Sequence, residues 1–350
     1  MKLSLNNRDS NFELARIVAM AMIVIWHFIL HGLQGEDRFL AIDSFGPLHF
    51  DQYVQLGIST ICIVGVNLFV LISGFYKIKL RWKSILSYYF LCLFWNAVVL
   101  AVSCAYQSVS LKDVMDVFLI SKMSNWFFRA YFILLLVSPI LNYAMNMFSI
   151  KQYRIIVCIL LLLTCVSGWL FHNGNDDGYN AYQLLTMYVL GGYIAKEDFF
   201  NRIKCGQAFL IYLAFTVLNY ISMMVVYYVL GKEITTLLHY NYLLLILQSV
   251  SLFCFFKQLP LKNSIVNKVA STVVAALFVQ QAIEVPLYAY IHNDYMSNGF
   301  TEKLFLFMAG VFVTIFVVAF AFERLRKKIT EPIIDRLSEK LDAIIHISYN

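Results

Sequence analysis

Glu13, Arg16, His27 and His31 all fall within one apolar run, FELARIVAMAMIVIWHFILH over residues 12–31. At about 100° per residue, the eleven-residue step from Arg16 to His27 nets roughly 20° of rotation, and Glu13 and His31 fall within about 40° of that direction. The four side chains therefore form one stripe along a helix. An imidazole in such a setting can take a proton from a hydroxyl or carry an acyl group, and a guanidinium can hold an anion. Ionisable groups cost about 2.5–3.5 kcal/mol each at the centre of a bilayer, so the stripe must face protein or a water-filled cavity. This makes it the first candidate for an active site. The HxxxH spacing of His27 and His31 would suit a metal, but the chain offers no third ligand, and no metal is expected.

The elements that position these residues are membrane helices. Of the 350 residues, 61% are hydrophobic and only 14% charged, against about 25% charged in soluble domains. The fold class expected is an all-α integral membrane protein. Spans are placed near 12–31, 56–76, 84–106, 126–148, 153–171, 182–196, 206–230, 238–256, 270–291 and 303–323, ten in all. With both termini cytoplasmic, 18 Lys and Arg residues fall in inside segments and five in outside ones, as the positive-inside rule requires. Topology thus accounts for the net charge of +6, and no nucleic-acid partner is expected. The first span reads as a retained anchor helix. The transmembrane domain is expected over residues 1–328. A cytoplasmic amphipathic tail at 329–350 would follow, its apolar residues at helical spacing lying on the inner membrane surface. Seven scattered cysteines read as small core residues.

Other polar positions interrupt the spans. In GVNLFVLISGF, residues 65–75, Ser73-Gly74 reads either as close helix packing or as a break lining a pocket. Lys77, Lys79, Arg81 and Lys83 follow, where a phosphate-bearing ligand or lipid headgroups could be met. In WFFRAYFILLLVSPILN, residues 126–142, Arg129, Tyr131, Ser138, Pro139 and Asn142 give a kink and a polar face. The ninth span carries Gln280, Gln281 and Glu284. Gln280 and Glu284 share a face that could form a second polar wall of the same cavity. The outer loop at 32–55 adds Glu36, Asp37, Asp43, His49 and Asp51.

Three of these segments resemble a known family. The first span, with Glu13, Leu14, Arg16 and His27, resembles the opening helix of the membrane-bound acyltransferase family 3. That family includes O-acetyltransferases of O-antigens, capsules and other surface glycans. Residues 65–75 resemble its second element and residues 126–142 its third. The ninth span departs from it, with Val279 standing where the family's histidine is expected. The resemblance implies an acyltransferase of the bacterial cytoplasmic (inner) membrane. It implies acetyl-CoA or another acyl-CoA as donor, and a hydroxyl of a surface glycan or lipid-linked oligosaccharide as acceptor. His27 would be general base or acyl carrier, with Arg16 and Glu13 beside it. Lys79, Arg81, Lys83, Ser73 and Gly74 would serve the coenzyme; Arg129, Tyr131, Gln280 and Glu284 would serve the acceptor. The alternative is a polysaccharide or small-solute translocator using the Glu13/Arg16/His27 stripe for proton coupling.

Overall fold

The computed structural model describes residues 9–34, 47–119, 125–172, 177–231 and 234–344. Glu36, Asp37 and Asp43 of the outer loop lie outside them. Among the described residues there is no strand. The helices in chain order are α1 (Ser10–His27), α2 (Phe50–Cys62), α3 (Gly65–Tyr76), α4 (Trp82–Ser103), α5 (Leu111–Asp116), α6 (Trp126–Met147) and α7 (Ile150–Leu161). They continue with α8 (Ala181–Lys196), α9 (Phe199–Arg202), α10 (Cys205–Tyr228), α11 (Leu243–Gln258), α12 (Ser264–Ala270), α13 (Ala275–Ala282), α14 (Glu284–Asn298) and α15 (Glu302–Ile344). Helix α1 runs on as a π-helix over Phe28–Leu33, and α7 over Leu162–Leu170.

Eight helical segments among the described residues are long and apolar enough to cross a bilayer, or nine if α12 and α13, bent by 46°, count as one span. Two of the ten expected spans are not among them as single long helices. The sixth span, α8, has only 16 residues, about 24 Å at 1.5 Å per residue, short of a hydrocarbon core of about 30 Å. It sits among α3, α6 and α7, where protein rather than lipid meets its buried Gln183 and Thr186. The ninth span is not one helix. It is broken at residues 271–274 and again at Ile283 into α12, α13 and α14.

The C-terminal end also differs from expectation. Helix α15 is 43 residues long and passes residue 329 without a break. Glu323, Arg326, Thr330, Ile334 and Ser338 are all buried along one face. That spacing of three or four residues is a packed helical stripe, and the segment extends the last span as one rod.

Small residues let the central helices approach closely. A Cβ on Gly74 of α3 would stand 2.7 Å from the Tyr188 carbonyl carbon of α8, and one on Gly191 of α8 would stand 3.0 Å from Phe75 N. Gly74 is therefore a packing glycine in a continuous helix. The reading of Ser73-Gly74 as a break lining a coenzyme pocket is corrected; the interruption of the second span lies instead at Ile63-Val64. Gly74→Ala forces backbone apart at the α3–α8 crossing and is expected to destabilise by about 1–3 kcal/mol, read as a lower midpoint of thermal unfolding in detergent. An unchanged midpoint would mean that the crossing has slack.

Candidate active site

The stripe on α1 is assembled in two halves. At the end near Ser10, Arg16 Nη1 donates to Glu13 Oε1 at 2.5 Å. The Glu13 side chain is 7% exposed and that of Arg16 26%, so the pair sits at the edge of a protein-lined space. The Arg16 guanidinium stands 6.0 Å from the Tyr76 ring centre on α3, within reach of a cation–π interaction. Tyr131 OH lies 3.2 Å from Ser73 Oγ. Helices α3 and α6 thus bring together Ser73 and Tyr131, two residues that the sequence singles out separately, while Arg16 of α1 meets α3 at Tyr76.

The chain leaves Tyr76 directly into the basic segment. Lys77 adopts a left-handed backbone (φ 56°) that turns it away from α3. The next residue is gripped through its backbone: Asn142 Nδ2 donates to Ile78 O at 2.8 Å, and Ile78 N donates to Tyr188 OH at 2.8 Å. Tyr188 OH in turn donates to Asn142 Oδ1 at 2.7 Å. Asn142, at the end of the third motif, is therefore a clamp on the basic loop. Lys77 bonds Asn146, and partial burial together with the neighbouring Lys196 lowers its ammonium below the usual lysine range. Lys79 and Arg81 are exposed and enter no ion pair among the described residues. Lys83 differs. It is paired with Asp335 of α15, a tie between α4 and the C-terminal rod.

At the other half of the stripe, His27 Nδ1 lies 3.0 Å from Gln280 Oε1. Gln280 is 1% exposed, and its Nε2 donates to Val24 O at 3.2 Å. Helix α13 is pinned by its aromatic face: Phe278 stacks on Phe128 at 4.1 Å and on Trp95 at 5.9 Å. Two residues on, roughly 200° around the helix, Gln280 points the other way, into α1. The resemblance directs attention to Val279; the residue that meets His27 is its neighbour. A glutamine carries no charge, so no pattern of ionisable residues could have marked it.

His27 is the last α-helical residue of its span, and the π-turn opens directly after it. Such turns recur at functional sites because they present an extra residue to one face. The His31 ring lies 5.5 Å from that of His27 and stacks on Tyr288 of α14 at 5.6 Å. Glu284 opens α14 one turn before Tyr288, beyond the break at Ile283. Gln280 and Glu284 therefore sit on different helices, on either side of the break at Ile283. Arg129 lies on the exposed face of α6 while Tyr131 turns inward, which separates these two acceptor-side candidates.

The chain is thus a polytopic helical protein with arginine and histidine half-buried along one helix, beside a clamped basic loop. The family model described as an acyltransferase domain matches residues 9–324, nearly the whole chain; the protein belongs to the acyltransferase 3 family. No curated protein and no solved structure matches it.

Proposed function

We propose that the protein transfers an acyl group, acetyl above all, from acyl-CoA to a hydroxyl of a surface or lipid-linked glycan in the bacterial cytoplasmic membrane. The observation that carries this reading is the continuity of the site. One helix has Arg16 next to the basic loop and His27 about 16 Å further along the axis. That separation suits a coenzyme whose phosphates bind at the basic end and whose pantetheine arm runs into the membrane. By the positive-inside rule the basic end faces the cytoplasm, where acyl-CoA is made.

Lys77, Lys79 and Arg81 offer charge-assisted bonds to the coenzyme phosphates. Arg16 gives one nitrogen to Glu13 and keeps further donors for the coenzyme. The acceptor hydroxyl approaches His27 from the opposite end, past His31 and Tyr288. The His27 nitrogen that does not face Gln280 takes the hydroxyl proton. The oxygen bonds to the acyl carbon as the carbon–sulfur bond breaks, and the proton passes to the departing thiolate.

The test is acyl transfer by purified protein in lipid nanodiscs, with radiolabelled acetyl-CoA and glycan from cells lacking the gene. Label in the glycan supports the reading. Failure to consume acetyl-CoA, with solute flux through proteoliposomes instead, would favour translocation. A double Lys79→Ala/Arg81→Ala change is expected to raise KM for acetyl-CoA about tenfold or more with kcat nearly unchanged, because it removes binding made equally in ground and transition states. A fall in kcat at constant KM would place these cations elsewhere in the mechanism.

A further inference from the structure

We infer that Gln280 is the positioning residue of His27, holding the ring in the tautomer whose proton is on Nδ1 and whose lone pair is on Nε2. The inference rests on the acyltransfer reading for its kinetic consequence, and on hydrogen-bond geometry alone for the tautomer.

A glutamine side chain has one accepting end and one donating end. The two contacts of Gln280 decide which is which. One end faces Val24 O at 3.2 Å. A carbonyl oxygen only accepts, and this one already receives the backbone N–H of Phe28. The end turned to it must be the amide NH2. With the amide reversed, two oxygens would meet there, and the buried NH2 would have to find its acceptor on the imidazole alone. The other end, Oε1, then faces His27 Nδ1 at 3.0 Å. Oε1 carries no hydrogen, so the proton of that bond belongs to Nδ1. A neutral imidazole has only one N–H, and Nε2 is left bare.

Both contacts of the amide fall on α1, at Val24 and His27, one turn apart. Gln280 is nine-tenths and more buried, and α13 is fixed from behind by the Trp95–Phe278–Phe128 stack. The amide cannot swing away without leaving polar atoms unpaired in an apolar interior. This is the role that a buried carboxylate plays in many histidine-based sites, filled here by a neutral group. A neutral acceptor sets the tautomer without adding a negative charge beside the ring. The position two residues past the aromatic anchor makes this a property of the α12–α13–α14 break: a straight ninth span would carry its side chains past α1 at another angle.

The experiment uses the full-length protein in bilayers with 15N-labelled histidine, the His27 signals being identified by their loss in His27→Ala. The expected wild-type spectrum has a protonated Nδ1 and an unprotonated Nε2 at His27. Gln280→Met keeps the volume and removes both hydrogen bonds. It is expected to populate the second tautomer and to lower kcat roughly ten- to a hundredfold, with KM for acetyl-CoA unchanged. Gln280→Glu keeps an acceptor against Nδ1 and is expected to keep Nδ1 protonated. Unshifted signals of the other histidines certify the fold of each variant. A wild-type His27 protonated on Nε2, or a Gln280→Met protein with unchanged tautomer, would overturn the assignment. If the tautomer behaves as stated while the wild type transfers no acyl group, the acyltransfer reading fails and the placement of Gln280 stands.

Discussion

His27→Ala is expected to lower acyl transfer by about 10²–10⁴-fold at matched membrane levels, the span measured for loss of a positioned general base. This corresponds to about 2.7–5.4 kcal/mol in the barrier. The effect should fall on kcat, since the coenzyme's binding groups lie at the Arg16 end. Folding should be little disturbed: His27 is half-buried, and Gln280, which faces its ring, retains its second bond to Val24. The measurement is O-acetyl content of the glycan by mass spectrometry, paired with initial rates on purified protein. Undiminished transfer would remove His27 from the chemistry. Arg16→Ala gives the contrast. It removes the guanidinium that donates to the buried Glu13 carboxylate and donors near the basic loop, so it should weaken coenzyme binding and stability together. A variant set in which His27 changes kcat and Arg16 changes KM would give the two ends of the stripe separate roles.

Much of this arrangement was legible in the sequence, because membrane spans announce themselves through apolar length and a polar stripe stands out by its cost. The Glu13–Arg16–His27–His31 alignment needed only helical periodicity, and three motifs in order led to the family. What sequence spacing could not supply were contacts between distant segments. Lys83 looked like one more cation of the basic cluster until Asp335, on the far side of the chain, claimed it. Gly74 allowed both a packing and a pocket reading, and only the approach of Tyr188 decided between them. The segment at 182–196 is short in the sequence as in the structure; only its neighbours α3, α6 and α7 explain how its glutamine and threonine are tolerated. Gln280 was noted for its polarity and assigned to the acceptor. Its true neighbour depends on a helix break at residues 271–274, where no proline or glycine stands to announce it.

The second large effect is expected far from the chemistry, at Glu323. Its carboxylate receives Arg326 Nη2 at 2.7 Å and Arg326 Nε at 2.8 Å, and the Trp95 Nε1–H of α4 at 3.1 Å. Arg326 Nη1 goes on to Thr330 Oγ1 at 3.1 Å. Both charged side chains are about 5% exposed, so the pair is a buried, two-pronged one with its remaining atoms satisfied. Such a pair adds little over an apolar replacement of equal volume, yet breaking one half leaves an uncompensated charge and costs about 3–5 kcal/mol. Glu323→Leu is therefore expected to lower the unfolding free energy by that amount. Glu323→Leu/Arg326→Leu should recover most of the loss, a reversal that distinguishes a stranded charge from mere loss of packing. A double variant no more stable than the single would refute this account. The consequence for activity follows from geometry. Lys327 ties α15 to Ser271 O at 2.5 Å, at the break that sets the angle of α13, and Trp95 stacks on Phe278 of the same helix. The stranded Arg326 would loosen both supports of α13. The single variant should thus lose activity through Gln280 as well as stability, and the apolar pair should restore both.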